Sequence, residues 1–227
     1  MKRKIITTRD GSTTIHLEDW NEQYHSTHGA IQEAEHVFIK TGLQHTKNTF
    51  NPEQIHILEI GFGTGLNAFM TFLEAKKHQF FINYIGVEAY PVASAEISQL
   101  NYISELKAED ETDIFNTMHA SDWEIKTTLT ENFQLTKRQQ FFDQINDQEI
   151  YNLIYFDAFG ARVQPELWTV DIFQKMYNAL QDNGVLVTYA AKGSVRRAMQ
   201  EVGFTGERLP GQPGKREMLR ATKINTI

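Results

Sequence analysis

Cysteine is absent from this 227-residue chain. Its absence excludes disulfides, zinc sites built on thiolates and thiol nucleophiles, and it fits a reducing cytoplasm. Long hydrophobic runs are missing too. Stretches such as Leu66 to Leu73 are too short and too interrupted to span a bilayer, so no membrane role is expected. The basic start Met1-Lys2-Arg3-Lys4 meets Arg9-Asp10-Gly11 before any long apolar region, and so does not read as a signal peptide. No internal repeat, low-complexity tract or linker stands out, which leaves one domain or one domain with a modest extension. The eight histidines are scattered, and His25 with His28 is too little for a metal site. No metal is expected.

What is present is a substantial core: 41% of residues are hydrophobic and 11% aromatic. The net charge of −7 is unevenly spread. From Lys192 onward eight bases face three acids, whereas the first 191 residues carry 14 bases against 26 acids. A basic end on an acidic body can bind a polyanion locally, although an ordinary solvated helix and hairpin would look the same.

Along the chain, Thr13–Leu17 reads as a strand and Ile31–Ile39 as a helix. Residues 1–50 are taken as an N-terminal extension packed on the core, and residues 51–227 as the main domain. Asn51-Pro52 closes the lead-in, and Ile55–Ile60 is then a short apolar run ending in glycines, as expected of a buried parallel strand. Leu66–Lys77 has helical spacing. Phe80–Val87 reads as a second strand, Pro91–Leu106 as a helix opened by proline, and Phe133–Phe142 as a third strand. Residues 107–132 show no clear period. Tyr151–Phe156 is a fourth strand, Glu166–Leu180 a helix stopped by Asp182-Asn183-Gly184, and Val185–Ala191 a fifth strand. Helix Ser194–Val202 ends at Gly203, and residues 204–207 and 217–221 form a closing hairpin. This alternation predicts an α/β fold with a doubly wound, mostly parallel sheet and an antiparallel C-terminal hairpin.

In such a sheet, ligands bind beyond the carboxyl ends of the strands. Gly61, Gly63 and Gly65 follow the first predicted strand in the spacing G-x-G-x-G. A dinucleotide fingerprint needs its third glycine one residue later, where Leu66 stands. The loop therefore suits S-adenosylmethionine better than a pyrophosphate. Glu88 closes the second strand, where a carboxylate can accept both ribose hydroxyl hydrogens. Asp157 closes the fourth, beside the group to be transferred. A glycine turn or a strand-end acid alone is often structural; three in one register predict the Rossmann-like class I methyltransferase fold. At the third strand end Gln140 is the expected adenine contact through its amide oxygen, with Gln139, Asp143 and Asp122 as competitors.

Three groups of residues resemble one family. They are Glu59-Ile60-Gly61-Phe62-Gly63-Thr64-Gly65-Leu66-Asn67; Asp157-Ala158-Phe159 with Pro165-Glu166-Leu167-Trp168-Thr169; and Gly193-Ser194-Val195-Arg196-Arg197 with Val202-Gly203-Phe204 and Gly214-Lys215-Arg216-Glu217-Met218-Leu219. Together with Asp10–Thr14 and Tyr24-His25-Ser26, they look like the methyltransferase domain of the bacterial tRNA 5-methylaminomethyl-2-thiouridine biosynthesis enzymes. The resemblance implies methylation of an aminomethyl group on the wobble uridine of tRNA, in the anticodon region, with S-adenosyl-L-methionine as cofactor. In the two-part enzymes a flavin-dependent oxidase exposes that amine. No such domain fits in 227 residues, so a separate enzyme is expected to supply the amine. Where the family has Ser-Pro-x-Lys-Asn, this chain has Gly160-Ala161-Arg162-Val163-Gln164, and Arg162 is the candidate to replace the lysine's charge.

The expected cofactor set is Gly61, Gly63, Thr64, Gly65, Asn67 and Glu88, joined by Gln140 and by Phe159 as an aromatic wall for the sulfonium. Asp157 is the expected catalytic group, orienting the amine and helping to accept its proton. Arg162, Arg196, Arg197, Lys215 and Arg216 are expected on tRNA phosphates. Trp168 and Tyr189 are candidates for stacking on a splayed base, with core packing the simpler role for Trp168. The alternatives are a methyl- or aminopropyl-transferase acting on a small amine or a protein, and a noncatalytic RNA-binding module on the same fold.

Overall fold

The structure is a computed structural model that describes residues 2–224; Met1, which opens the basic start, lies outside them. Three antiparallel strands come first: β1 (Arg3–Thr7), β2 (Thr13–Leu17) and β3 (Glu22–Gln23). A long helical segment follows, in three consecutive stretches. These are Ala30–Ala34, a π-helical Glu35–Gln44, and His45–Phe50, ended by Asn51 in the left-handed region. The main sheet then begins with β4 (Gln54–Ile60) and continues with β5 (Phe81–Val87), β6 (Thr127–Thr130), β7 (Phe133–Arg138), β8 (Tyr151–Phe156), β9 (Leu180–Thr188), β10 (Thr205–Pro210) and β11 (Glu217–Thr222). Their order across the sheet is β10-β11-β9-β8-β4-β5-β7-β6. The five central strands from β9 to β7 are parallel; the β10–β11 hairpin and β6 are antiparallel edges.

Alternation along β4 shows why the sheet carries two cores. Ile55 and Ile57 face the helices Ala30–Phe50 and Leu66–His78, whereas Leu58 and Ile60 face the helices Val170–Ala179 and Gly193–Glu201. Successive strand side chains point to opposite faces, so a strand covered on both sides must be apolar throughout. Val170–Ala179 buries Ile172, Phe173, Met176 and Ala179 along one stripe. Burying each large apolar side chain of this kind contributes about 1.5–3 kcal/mol.

Three predicted elements differ in form. The helix expected over Pro91–Leu106 is two short ones, Ser94–Ile97 and Tyr102–Glu105. Asn101 breaks it: its Oδ1 accepts from Thr13 N at 2.7 Å and its Nδ2 donates to the Gly11 carbonyl at 2.9 Å, which ties this segment to the β1–β2 turn. The strand expected over Val185–Ala191 runs from Leu180 to Thr188, with Asp182-Asn183-Gly184 at an irregularity inside β9, which pairs Leu180 with Tyr151 and resumes with Val185 against Leu153. The strand expected to reach Phe142 ends at Arg138.

Candidate active site

The strand register sets three residues side by side. Ile60 pairs with Val87 on one side and with Phe156 on the other, so Gly61, Glu88 and Asp157 are the next residues of three adjacent strand ends. Gly61 has φ 93°, and a Cβ there would stand 2.7 Å from the Asp157 carbonyl oxygen, so only glycine fits between the two strand ends. The loop then turns back on Glu88. Gly63 N donates to Glu88 Oε2 at 3.0 Å and Tyr90 N to Oε1 at 2.9 Å. Burial raises the Glu88 pKa, and these two amides oppose the rise. Between the glycines, Phe62 turns inward and packs its ring on Gly86 of β5, where any Cβ would overlap it.

Behind the loop, Asn67 bridges two carboxylates. Its Nδ2 donates to Glu59 Oε1 at 3.0 Å and to Asp157 Oδ2 at 2.8 Å. Burial pushes the fully enclosed Glu59 up to about 8, against the pull of Asn67. Asp157 is held well above the usual carboxylate range, first by burial and then by repulsion from Glu33, with Asn67 opposing. Among the described residues Asn67 Oδ1 is buried without a hydrogen-bond partner, while the buried Tyr84 hydroxyl interacts with Glu59.

Gly61, Phe62, Gly63, Asn67, Glu88 and Asp157 line a cleft of about 650 Å³. One wall comes from the N-terminal strands: Arg3, Leu17, Trp20, Tyr24 and His25. Trp20 and Tyr24 stand edge-on to Phe159 at 5.8 and 5.0 Å. Arg3 pairs with Glu96 at 2.9 Å. At the mouth, the exposed rings of Tyr90 and Phe141 meet at 5.8 Å. The cleft suits S-adenosyl-L-methionine. Gly61 and Gly63 border the cleft with backbone alone, and the Glu88 carboxylate beside them can accept from ribose hydroxyls.

Gly61, Gly63, Thr64, Asn67, Glu88, Asp157 and Phe159 all border the cleft. Gly65 starts the helix behind it, and Thr64 is anchored through its hydroxyl, 3.0 Å from that of Tyr102. Gln140 does not line it. Because β7 ends at Arg138 opposite Val87, Gln139 is the residue beside Glu88, and Phe141, Phe142 and Asp143 form that wall. Trp168 is not available to stack on a base: it is buried against Phe156 and Phe173, and its Nε1 donates to the Phe159 carbonyl at 2.7 Å. Arg162 reaches the N-terminal strands, donating to the Asn21 carbonyl and to Glu22 Oε2, each at 2.9 Å. Arg196 and Arg197 stand on the helix Gly193–Glu201, and Arg216 is exposed in the β10–β11 loop. Lys215, in the same loop, borders a second cavity of about 290 Å³. Sequence reasoning missed the residues before Ala30 that wall the cleft, and Glu33. Only the resemblance at Tyr24-His25-Ser26 pointed toward them. Among the described residues no three His, Asp or Glu side chains gather as a metal site requires, and no helix is long and apolar enough to cross a membrane.

Residues 111–224 match the family described as S-adenosyl-L-methionine-dependent methyltransferase. The chain is 28% identical over 219 residues to the tRNA 5-methylaminomethyl-2-thiouridine biosynthesis bifunctional protein MnmC of Pseudomonas savastanoi pv. phaseolicola, covering 91% of this chain and 33% of that protein. It is 26% identical over 225 residues to the MnmC of Burkholderia thailandensis, covering 95% of this chain and 34% of the relative. The chain thus spans about a third of the length of these curated relatives and resembles their methyltransferase part. A crystal structure of MNMC2 from Aquifex aeolicus superposes with a TM-score of 0.75 at 22% identity, covering 99% of this chain and 72% of that one. Spermidine synthase from Thermotoga maritima gives 0.57 at 15%, covering 97% and 68%. The fold is that of the class I methyltransferases, the cofactor is S-adenosyl-L-methionine, and the chain belongs to the S-adenosyl-L-methionine-dependent methyltransferase family.

Proposed function

We propose that this methyltransferase acts on the aminomethyl group of the wobble uridine in tRNA, giving 5-methylaminomethyl-(2-thio)uridine. The observation that carries the reading is the position of Asp157. Its carboxylate lies in the wall common to the cofactor cleft and the second cavity, and it is held above the usual carboxylate range. The curated relatives, named for tRNA 5-methylaminomethyl-2-thiouridine biosynthesis, supply the tRNA class.

S-adenosylmethionine, when bound, supplies an electrophilic methyl group on a sulfonium. The acceptor must arrive at it as a free amine. A primary alkylamine resembles lysine, with a pKa near 10.4, so roughly one part in a thousand is neutral at neutral pH. Asp157 orients the ammonium and receives its proton, and a raised pKa makes its carboxylate the stronger base. Asn67 fixes the carboxylate by holding Oδ2, which leaves Oδ1 for the amine. Trp20, Tyr24 and Phe159 border the reaction space with ring faces and edges, which exclude water and favour cationic groups. Arg162, Arg196, Arg197 and Arg216 hold RNA phosphates in this reading, Asp143 in the cleft wall is the nearest candidate for the adenine, and a separate cytoplasmic enzyme supplies the amine.

The test is transfer of labelled methyl from S-adenosylmethionine to bulk tRNA from a strain lacking this modification, followed by nucleoside analysis. Label in 5-methylaminomethyl-uridines is the expected result. Transfer to small amines without RNA, which the acidic body of the chain would favour, would replace the reading.

A further inference from the structure

The second cavity lies across Asp157 from the cofactor cleft and shares Tyr24, Asp157, Ala158 and Phe159 with it. It holds a second carboxylate. Glu33 is 6% exposed, at the start of the helical segment that opens at Ala30. Its Oε2 accepts from Ser26 N at 2.6 Å, its Oε1 is held by Gln212 Nε2, and the Lys215 ammonium lies 3.9 Å from Oε1. Burial raises the Glu33 pKa and Lys215 opposes the rise. The Lys215 ammonium also sits 3.8 Å from the centre of the Tyr189 ring, while the Tyr189 hydroxyl donates to the Ala158 carbonyl at 2.9 Å. The side chain of Lys215 remains 39% exposed, and its attraction to Glu33 is joined by that of Asp157 and Glu22.

The room beside Asp157 therefore already holds a primary alkylammonium, and it belongs to the chain itself. An aminomethyl group in its resting form is the same chemical species. We propose that this cavity is the acceptor's ammonium pocket, that Glu33 is its anchoring carboxylate, and that Lys215 is a displaceable occupant of it in the free enzyme. This deepens the reading given above and rests on it for the identity of the acceptor.

The energetics favour an exchange. At 3.9 Å the Glu33–Lys215 pair is an ion pair without a direct hydrogen bond, so Lys215 is held by charge attraction and by the Tyr189 ring, contacts that a second ammonium can take over. Replacing one ammonium by another keeps the buried carboxylate compensated throughout. A neutral head group that pushed Lys215 out would leave that carboxylate buried and unpaired, which is strongly unfavourable. The pocket thus selects for charge as well as size. Glu33 also ties the helical segment to the β10–β11 loop through Gln212. Glutamine at position 33 preserves that tie: the Gln212 Oε1, now buried without a partner, can turn to accept from the new amide. The substitution therefore removes charge and leaves the scaffold.

The experiment is calorimetric binding of 5-aminomethyluridine and of its neutral counterpart 5-hydroxymethyluridine to the full chain saturated with S-adenosylhomocysteine. The wild type is expected to prefer the amine by at least about tenfold, the discrimination that an unpaired buried charge enforces. Glu33→Gln should lose most of that preference while keeping its melting temperature and cofactor affinity. Lys215→Met should bind the amine several-fold more tightly than the wild type. Equal affinities in the wild type, no measurable binding of the amine, or a preference that survives Glu33→Gln would overturn the proposal. If Glu33→Gln does not fold, Lys215→Met decides, and an unchanged or weaker affinity for the amine sinks the idea. Nucleoside discrimination without tRNA methylation would remove the tRNA reading and leave the pocket; methylated tRNA with equal nucleoside affinities would do the reverse.

Discussion

Asp157→Asn separates a chemical role from a structural one by the sign of its effect on stability. A strand-end aspartate often caps a helix, and losing such a cap destabilises by about 1 kcal/mol. No helix begins next to Asp157; the first helical segment after it is the short 3-10 helix Pro165–Trp168, and the α-helix starts at Val170. What surrounds the carboxylate instead is burial, repulsion from Glu33 and Glu59, and one bond from Asn67. Asparagine keeps the shape, and its oxygen can still accept from Asn67 Nδ2. The charge that its surroundings disfavour is gone. Each pKa unit of such relief is worth about 1.4 kcal/mol, and each kcal/mol moves the melting point of a chain this size by about 2–4 °C. The variant should therefore melt no lower than the wild type. Its turnover should fall about 100- to 10,000-fold, the contribution of a positioned general base. Without that base only amine that arrives neutral reacts, so the variant's rate should climb nearly tenfold per pH unit below the amine's own pKa of about 10, more steeply than the wild type's. Differential scanning fluorimetry and single-turnover methylation of tRNA on one sample are sufficient. A variant that melts several degrees lower and methylates at a near-normal rate would refute the reasoning.

Gly86→Ala places a methyl group into the Phe62 ring and so strikes the glycine loop from beneath. Overpacking of this kind costs about 1–3 kcal/mol, and we expect cofactor affinity to fall at least as far as the melting point suggests; Phe62→Leu in the same chain should restore part of both, which calorimetry would show. His25 is buried, 2.9 Å from the Thr14 hydroxyl through Nδ1, and burial lowers its pKa to about 4 from 6.5. A depressed imidazole pKa means that the unfolded chain binds more protons between pH 6.5 and 4, so the stability His25 allows is full above 6.5 and is lost as pH falls toward 4. At pH 5 that loss is about 2 kcal/mol, and denaturant unfolding of His25→Gln at pH 7 and pH 5 should show a gap smaller by that amount.

The glycine loop, Glu88 and Asp157 were legible in the sequence because each closes an apolar run whose other face and length mark a buried parallel strand. The pairing of Ile60 with Val87 and Phe156 then brings them together with no further information needed. The third strand hid its end. Nothing in Phe133–Phe142 says that Arg138 will pair opposite Val87 and that the chain will turn at Gln139. Asn101 looked like one more helical residue, because the hydrogen bonds that set it apart reach a turn some 90 positions earlier in the chain. Asp182-Asn183-Gly184 reads as a helix stop, yet the helix ends at Ala179 and these polar residues lie at an irregularity inside β9, with Asn183 at positive φ. Glu33 gave no local sign at all. An acid in the first turn of a helix is among the commonest features of any sequence, and only the arrival of Gln212 and Lys215 distinguishes this one.

The two halves of the site have different origins in the chain. The cofactor row is made by the main sheet: glycines, Glu88 and Asp157 at three adjacent strand ends, all between residues 61 and 157. The second cavity exists only where the two ends of the chain meet. Its walls combine Glu22, Tyr24, Ser26 and Glu33 with Tyr189, Gly214 and Lys215. The joint is built from specific contacts: Glu33 with Gln212, Arg162 with Glu22 at 2.9 Å, and His36 Nε2 lying 2.8 Å from the Pro210 carbonyl. Substitutions in the joint should therefore alter which acceptor is taken while leaving cofactor binding to the sheet. Substitutions in the row should do the opposite. Asp157 belongs to both, as the one carboxylate in the shared wall, and a charge removed there should therefore reach the proposed chemistry without loosening either half.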